Sequence, residues 1–97
     1  MSDIVVTPLR PSEYGVRVHE GADTTGHEVV LDLNLVDELG LSDYDGRLVT
    51  EEVVSFLLDR QPADSLGERI WLRDVDRLHP DFRDELVARV TAHDRGV

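Results

Sequence analysis

Neither cysteine nor lysine occurs in the 97 residues, and aromatic side chains make up only 5% of them. Without cysteine there is no disulfide, no thiolate nucleophile and no support for an oxidising compartment. No apolar run approaches the roughly 20 residues that cross a bilayer. The start, Met1-Ser2-Asp3-Ile4-Val5-Val6-Thr7, lacks the basic segment and long apolar stretch of a secretory signal. The expectation is a cytoplasmic chain with no membrane contact. Catalytic signatures are missing as well: there is no Gly-x-Ser-x-Gly, no phosphate-cradling glycine loop and no His-Glu-x-x-His. Ser55 and Ser65 have no histidine near them in sequence. Glu51-Glu52 and Asp84-Glu85 read as exposed helix charges rather than as a buried acid–base pair. No enzyme and no cofactor are expected.

What the chain has is negative charge. Its 21 acidic residues against 10 basic ones, all arginine, give a net charge of −11. Such a field repels nucleic acid and anionic membrane, and it favours solubility or a cationic partner. Arginine without lysine, with valine outnumbering isoleucine, points to G+C-rich coding or to a halophile's acidic surface; composition does not separate the two. The charge is uneven. Residues 1–59 carry 13 acids and 3 arginines, a net of −10, whereas residues 60–97 carry 8 acids and 7 arginines, a net of −1.

With 40% hydrophobic and 32% charged residues, the composition is that of a soluble globule of one domain, 1–97. The expected fold class is α+β: an antiparallel hairpin or three-stranded meander over about 3–34, then three to four helices packed on one face over about 35–94. Ile4 to Leu9 is an apolar run closed by the turn signal Arg10-Pro11-Ser12. Tyr14, Val16 and Val18 alternate with Gly15, Arg17 and His19. After Gly21–Gly26, read as a loop, alternation resumes with Val29, Leu31 and Leu33. Keeping one face dry predicts Val18 opposite Val29, Val16 opposite Leu31, Tyr14 opposite Leu33 and His19 opposite Glu28.

Asn34 is the expected N-cap of a short helix over 35–39 that stops at Gly40, with Asp37 at the capping-box position. The strongest helix signal runs from about Arg47 to Arg60 and ends before Pro62. Val49, Val53, Phe56 and Leu57 form its apolar face, widened by Val54 and Leu58, so the helix is expected between the sheet and later helices. Residues 69–79 read as a third helix, with Trp71, Val75 and Leu78 on one face and Leu72 and His79 at its margin. A fourth, from Pro80 or Asp81, buries Phe82, Leu86 and Val90. Glu85 and Arg89 are spaced as a helical ion pair, and Arg89, His93 and Arg95 suit the helix C-terminus.

Phe56-Leu57-Leu58-Asp59-Arg60-Gln61-Pro62, followed by His79-Pro80-Asp81-Phe82, resembles a pattern shared by a group of small uncharacterised bacterial proteins. Those have a β-rich start, a helix ending in Phe-Leu-Leu-x-Arg-x-Pro and a later aromatic-Pro-acidic-aromatic step. His79 departs from the pattern, standing where the group has an aromatic. The resemblance covers about residues 48–82 and implies a shared fold; it carries no activity.

Two constellations invite a functional reading. With Gly46 at position 6 of a calcium loop, Asp43, Asp45 and Glu52 fall at ligand positions, but Leu41 occupies position 1, where a carboxylate is required. The competing reading makes these acids caps of the following helix. Arg69, Arg73 and Arg77, four apart, form a stripe that would bind an acidic partner or pair with the acidic half of a second copy. The competing reading is a solvated face. His19 and His27 fall on opposite faces of the hairpin and cannot share a metal. Trp71 reads as a helix core anchor; exposed in the Gly67–Leu72 approach, it would instead mark an interface.

These features favour a non-catalytic protein-interaction or regulatory module, whose partner is an unknown protein or a second copy in a homodimer. Two alternatives stand beside it. One is a nucleic-acid-associated, antitoxin-like regulator using the C-terminal helices, against which the charge counts. The other is a small metal-binding domain built on the Asp43–Glu52 loop.

Overall fold

The computed structural model describes residues 2–95. Met1, Gly96 and Val97, the ends of the expected domain, and the side chain of Arg95, expected as a dipole partner, lie outside what it describes. The chain runs through strands β1 (Ser2–Arg10), β2 (Glu13–Glu20) and β3 (Asp23–Val30) into helices α1 (Leu33–Glu38) and α2 (Gly46–Leu58). After a 3₁₀ turn at Ala63–Ser65 come β4 (Arg69–Trp71), α3 (Leu72–Leu78) and α4 (Phe82–Arg95). The class is α+β, as expected, with a four-stranded mixed sheet of order β1-β2-β3-β4.

The first three strands form the expected antiparallel meander, but its second register differs. Tyr14 faces Val29, Val16 faces His27 and His19 faces Thr24. The turn is the tight pair Gly21-Ala22 between Glu20 and Asp23, with Gly21 at φ 60°, the conformation that a type II′ hairpin turn asks of its first central residue. Thr24-Thr25-Gly26 is therefore strand, not loop. The slip from the expected pairing of Val18 with Val29 is four positions, an even number. Side chains consequently keep their faces: Val16, Val18, Val29 and Leu31 are buried while Arg17 and Glu28 are exposed. Leu33, expected on the dry face, is instead the first residue of α1 and is exposed.

β4 corrects the expected helix over 69–79. Beyond β2, β3 has a second row of backbone donors and acceptors to satisfy, and β4 supplies partners in parallel, Glu28 opposite Arg69, Val29 opposite Ile70 and Val30 opposite Trp71. Ile70 is buried between the exposed Arg69 and Trp71, a strand's period of two. The helix starts only at Leu72, which is fully buried, with Val75 beneath it; Leu78, expected on the packed face, is 70% exposed. Sheet and helical residues thus interleave, so a boundary near residue 35 does not separate them.

Asp32, rather than Asn34, caps α1, accepting from the N–H groups of Asn34 and Leu35 at 3.0 and 3.3 Å. Gly40, at φ 72°, ends this helix as expected. α2 is N-capped by Asp45, which accepts from the Arg47 N–H at 2.9 Å. It contacts both β1 and α4, and Val49, Val53, Val54, Phe56 and Leu57 are all buried. Gly46 opens α2 because Tyr14 leaves no room for a side chain: a Cβ there would sit 1.9 Å from the Tyr14 hydroxyl.

Phe56 is the meeting point of the helical half. Phe82 and His79 stand edge-on to its ring, at 5.0 and 5.4 Å between centroids. The Arg60 guanidinium lies 3.7 Å from the ring centroid and donates to the Phe56 carbonyl and to Asp81. Arg89 does not pair with Glu85; it reaches α2, donating to Ser55 Oγ at 3.2 Å and to Asp59. The two segments behind the family resemblance therefore meet around one ring.

Two substitutions test this packing by urea unfolding. Phe56→Ala is expected to cost about 3–5 kcal/mol, as loss of a buried aromatic does. Gly46→Ala should cost about 1–3 kcal/mol through overpacking, and most of that cost should vanish when Tyr14 is also cut to Ala.

Candidate functional site

The end of the sheet that carries β4 presents the most developed surface. Gly67, at φ 82°, turns the chain into β4, and the buried His27 on β3 fixes that turn. The His27 Nδ1 lies 2.5 Å from the Gly67 carbonyl, which only accepts, so Nδ1 carries the proton. Nε2 lies 2.8 Å from the Thr25 hydroxyl, so both ring nitrogens are engaged. The Glu28 N–H adds a bond to the Glu68 carbonyl at 2.8 Å. With Ile70 drawn inward, Trp71 is turned out, and it is 46% exposed.

Trp71 stands between two grooves. One, of about 300 Å³, is lined by Val30, Leu31, Asp32, Trp71, Arg73 and Asp74. The other, of about 200 Å³, includes Leu66, Ile70, Trp71, Val75 and the exposed Leu78 in its walls. The Arg69 guanidinium lies 5.3 Å from the Trp71 ring centroid, within cation–π range. A large aromatic thus stands on an edge strand, with a groove of mixed apolar and charged walls on each side.

The three stripe arginines do not share one helix. Arg69 lies on β4, while Arg73 and Arg77 lie on α3. Each has an acid of its own chain. Arg69 donates to Glu13 at 2.9 Å and lies 3.7 Å from Glu28; Arg73 donates twice to Asp32, at 2.9 and 3.0 Å; Arg77 donates to Asp74 at 2.9 Å. Arg83 likewise forks onto Asp76 at 2.9 and 3.0 Å and reaches Glu38 at 3.5 Å; the Asp76 hydrogen bonds hold its proton more tightly than usual. Arg69, Arg73 and Arg83 of the C-terminal half thus reach acids of the N-terminal half of the same molecule, while Arg77 is paired within its own helix.

The calcium-loop residues are not brought together. Asp45 is the α2 cap, Glu52 meets His93 Nε2 at 2.8 Å, and Asp43 is exposed in the turn before α2. Gly46 is helical, without the positive φ that the sixth position of such a loop needs. Among the described residues no group of three or more His, Asp or Glu side chains is placed to hold a metal ion. The histidines lie apart: His19 bonds Thr24 at 2.9 Å, His27 holds the Gly67 turn, His79 packs on Phe56, and His93 meets Glu52 instead of the end of its own helix.

Trp71's exposure and the role of His27 are the features that periodicity missed. The signal available was local: Gly67 followed by charged, β-branched, aromatic reads as a short strand entry. No helix among the described residues is long and apolar enough to cross a membrane. Compared with protein-family models, curated proteins and solved structures, the chain matches none.

The ion pairs around this end predict a pH dependence. Hydrogen bonding from Arg10, then from Arg69, holds the Glu13 carboxyl below its ordinary range. Arg73, then the Leu35 N–H, does the same for Asp32. A carboxylate depressed in the folded state adds stability that is fully present above its unfolded pKa, about 4. That stability is lost as pH falls through the lower folded value. The melting temperature of the parent should therefore exceed that of Asp32→Asn near neutral pH, and the difference should close as pH falls below about 4.

Proposed function

We propose that this chain is a non-catalytic protein-interaction module that docks a partner protein on the Trp71 end of its sheet. The observation that carries the reading is Trp71 itself, 46% exposed on a three-residue edge strand between two grooves. Tryptophan is the residue most enriched among those that dominate binding energy, and an open strand edge accepts an extended segment through main-chain hydrogen bonds. In this reading the helices cover the sheet's buried face and leave the other, with Trp71, for the partner. Arg69 and Arg73 frame the indole, and Arg77 stands one turn beyond. Because these arginines carry acids of their own chain, the net charge of −11 favours a partner with basic residues beside an apolar anchor. The same pairing leaves few free cations for a nucleic-acid backbone, which weighs against the antitoxin-like alternative. The convergence of both motif segments on Phe56 supports a fold shared with the bacterial group that the sequence resembles.

Affinity capture from the native host with the tagged parent and with Trp71→Ala tests the reading. A partner of the predicted kind should be retained by the parent, weakened by salt, and bound about 30-fold more weakly by the variant, the equivalent of a 2 kcal/mol hot spot. Far-ultraviolet circular dichroism should be unchanged. A partner held equally by both proteins places the docking surface elsewhere.

A further inference from the structure

The opposite edge of the sheet is built differently. β1 is nine residues long, and among the described residues it pairs with β2 alone. Edge strands are ordinarily guarded by charges, proline or bulges; Ile4-Val5-Val6-Thr7-Pro8-Leu9 carries no charge, and its proline and irregularity lie together at one end, over Pro8–Arg10. Val5 and Leu9 are 50% and 53% exposed. The charges sit at the two ends, with Asp3 before this run and Arg10 after it.

The hydrogen-bond phase shows which groups face outward. The Leu31 N–H donates to the Ser12 carbonyl, continuing the Tyr14–Val29, Val16–His27 and Val18–Thr25 pairs as the bonded ones of the β2–β3 ladder. Bonded and non-bonded pairs alternate, so the backbones of Gly15, Arg17 and His19 turn to β1 and meet Thr7, Val5 and Asp3. The N–H and C=O groups of Ile4 and Val6, and the Pro8 carbonyl, consequently point away from the sheet. Pro8 has no donor to leave unmet on that side.

We infer that β1 is a homodimer interface, pairing antiparallel with β1 of a second copy about a two-fold axis at Val6. Only an even register keeps the buried and exposed faces of the two sheets aligned, and one centred on Val6 does so. Val6 then exchanges both main-chain bonds with its counterpart, and each Ile4 N–H meets the Pro8 carbonyl of the second copy. The irregularity between Pro8 and Arg10 returns Arg10 to the face of Asp3. Asp3 of each copy thereby comes beside Arg10 of the other, which also reaches Glu13 of its own chain at 3.3 Å, whereas a parallel arrangement would set like charges together. The pairing is self-complementary in hydrogen bonds and in charge, as a two-fold interface must be. It makes one continuous eight-stranded sheet and leaves both Trp71 ends free.

Sedimentation of the full chain over a concentration series tests this. The parent should form a concentration-dependent dimer. Asp3→Arg and Arg10→Asp should each weaken it about tenfold or more, and the double swap should restore it, because each new charge again meets its opposite. Val5→Lys, at a half-exposed position, should give a monomer with an unchanged circular dichroism spectrum. A parent that stays monomeric at every concentration overturns the inference. So does a dimer indifferent to Val5→Lys, or single charge changes that the double swap fails to rescue.

Discussion

The stacking of Arg60 on Phe56 organises the helical half. Its guanidinium covers the ring, closes the end of α2 through the Phe56 carbonyl, and reaches Asp81 at the start of α4. One side chain therefore links the end of α2 to the start of α4. The ring in turn holds His79 and Phe82 edge-on, so the chain must turn between α3 and α4 where it does. A planar cation can do all three at once, because its face lies over the ring while its in-plane N–H groups donate outward.

The same economy runs through the surface. Arginine is the only strong base available, and much of it is used to stitch sequence-distant elements together. Arg69 ties β4 to β2 and β3, Arg73 ties α3 to the α1 cap, Arg83 ties α4 to α3 and α1, and Arg89 ties α4 to α2. Exposed pairs of this kind contribute little individually to stability. They nevertheless join elements that lie far apart in the sequence. The charge asymmetry between the halves of the sequence is therefore partly cancelled within the fold.

How much of this was legible follows from what each element uses. α2 and α4 declare themselves because their buried residues recur at helical spacing over several turns, and both lie within one or two residues of expectation. The meander's faces were legible and its register was not. Valine alternation fixes which side is dry, but Thr24-Thr25-Gly26 carries no apolar signal to show that β3 begins before it. β4 escaped because three residues are too few to establish a period, and Trp71, Val75 and Leu78 imitate a helix face. Asp32 was hidden as a cap by its place in an apparent strand. The spacing that makes β4 look helical also makes Trp71 look like core. The arginine partners lie far away in sequence, and no local pattern announces them.

The parallel join of β3 to β4 has a consequence for the order in which the molecule assembles. β1, β2 and β3 zip up through tight turns, whereas Glu28 can meet Arg69 only after α1 and α2 have been threaded between them. Contacts that close long loops bear their entropy cost before they give any return, so β4 docks late. The part of the sheet that closes the longest loop is thus the part that displays the indole.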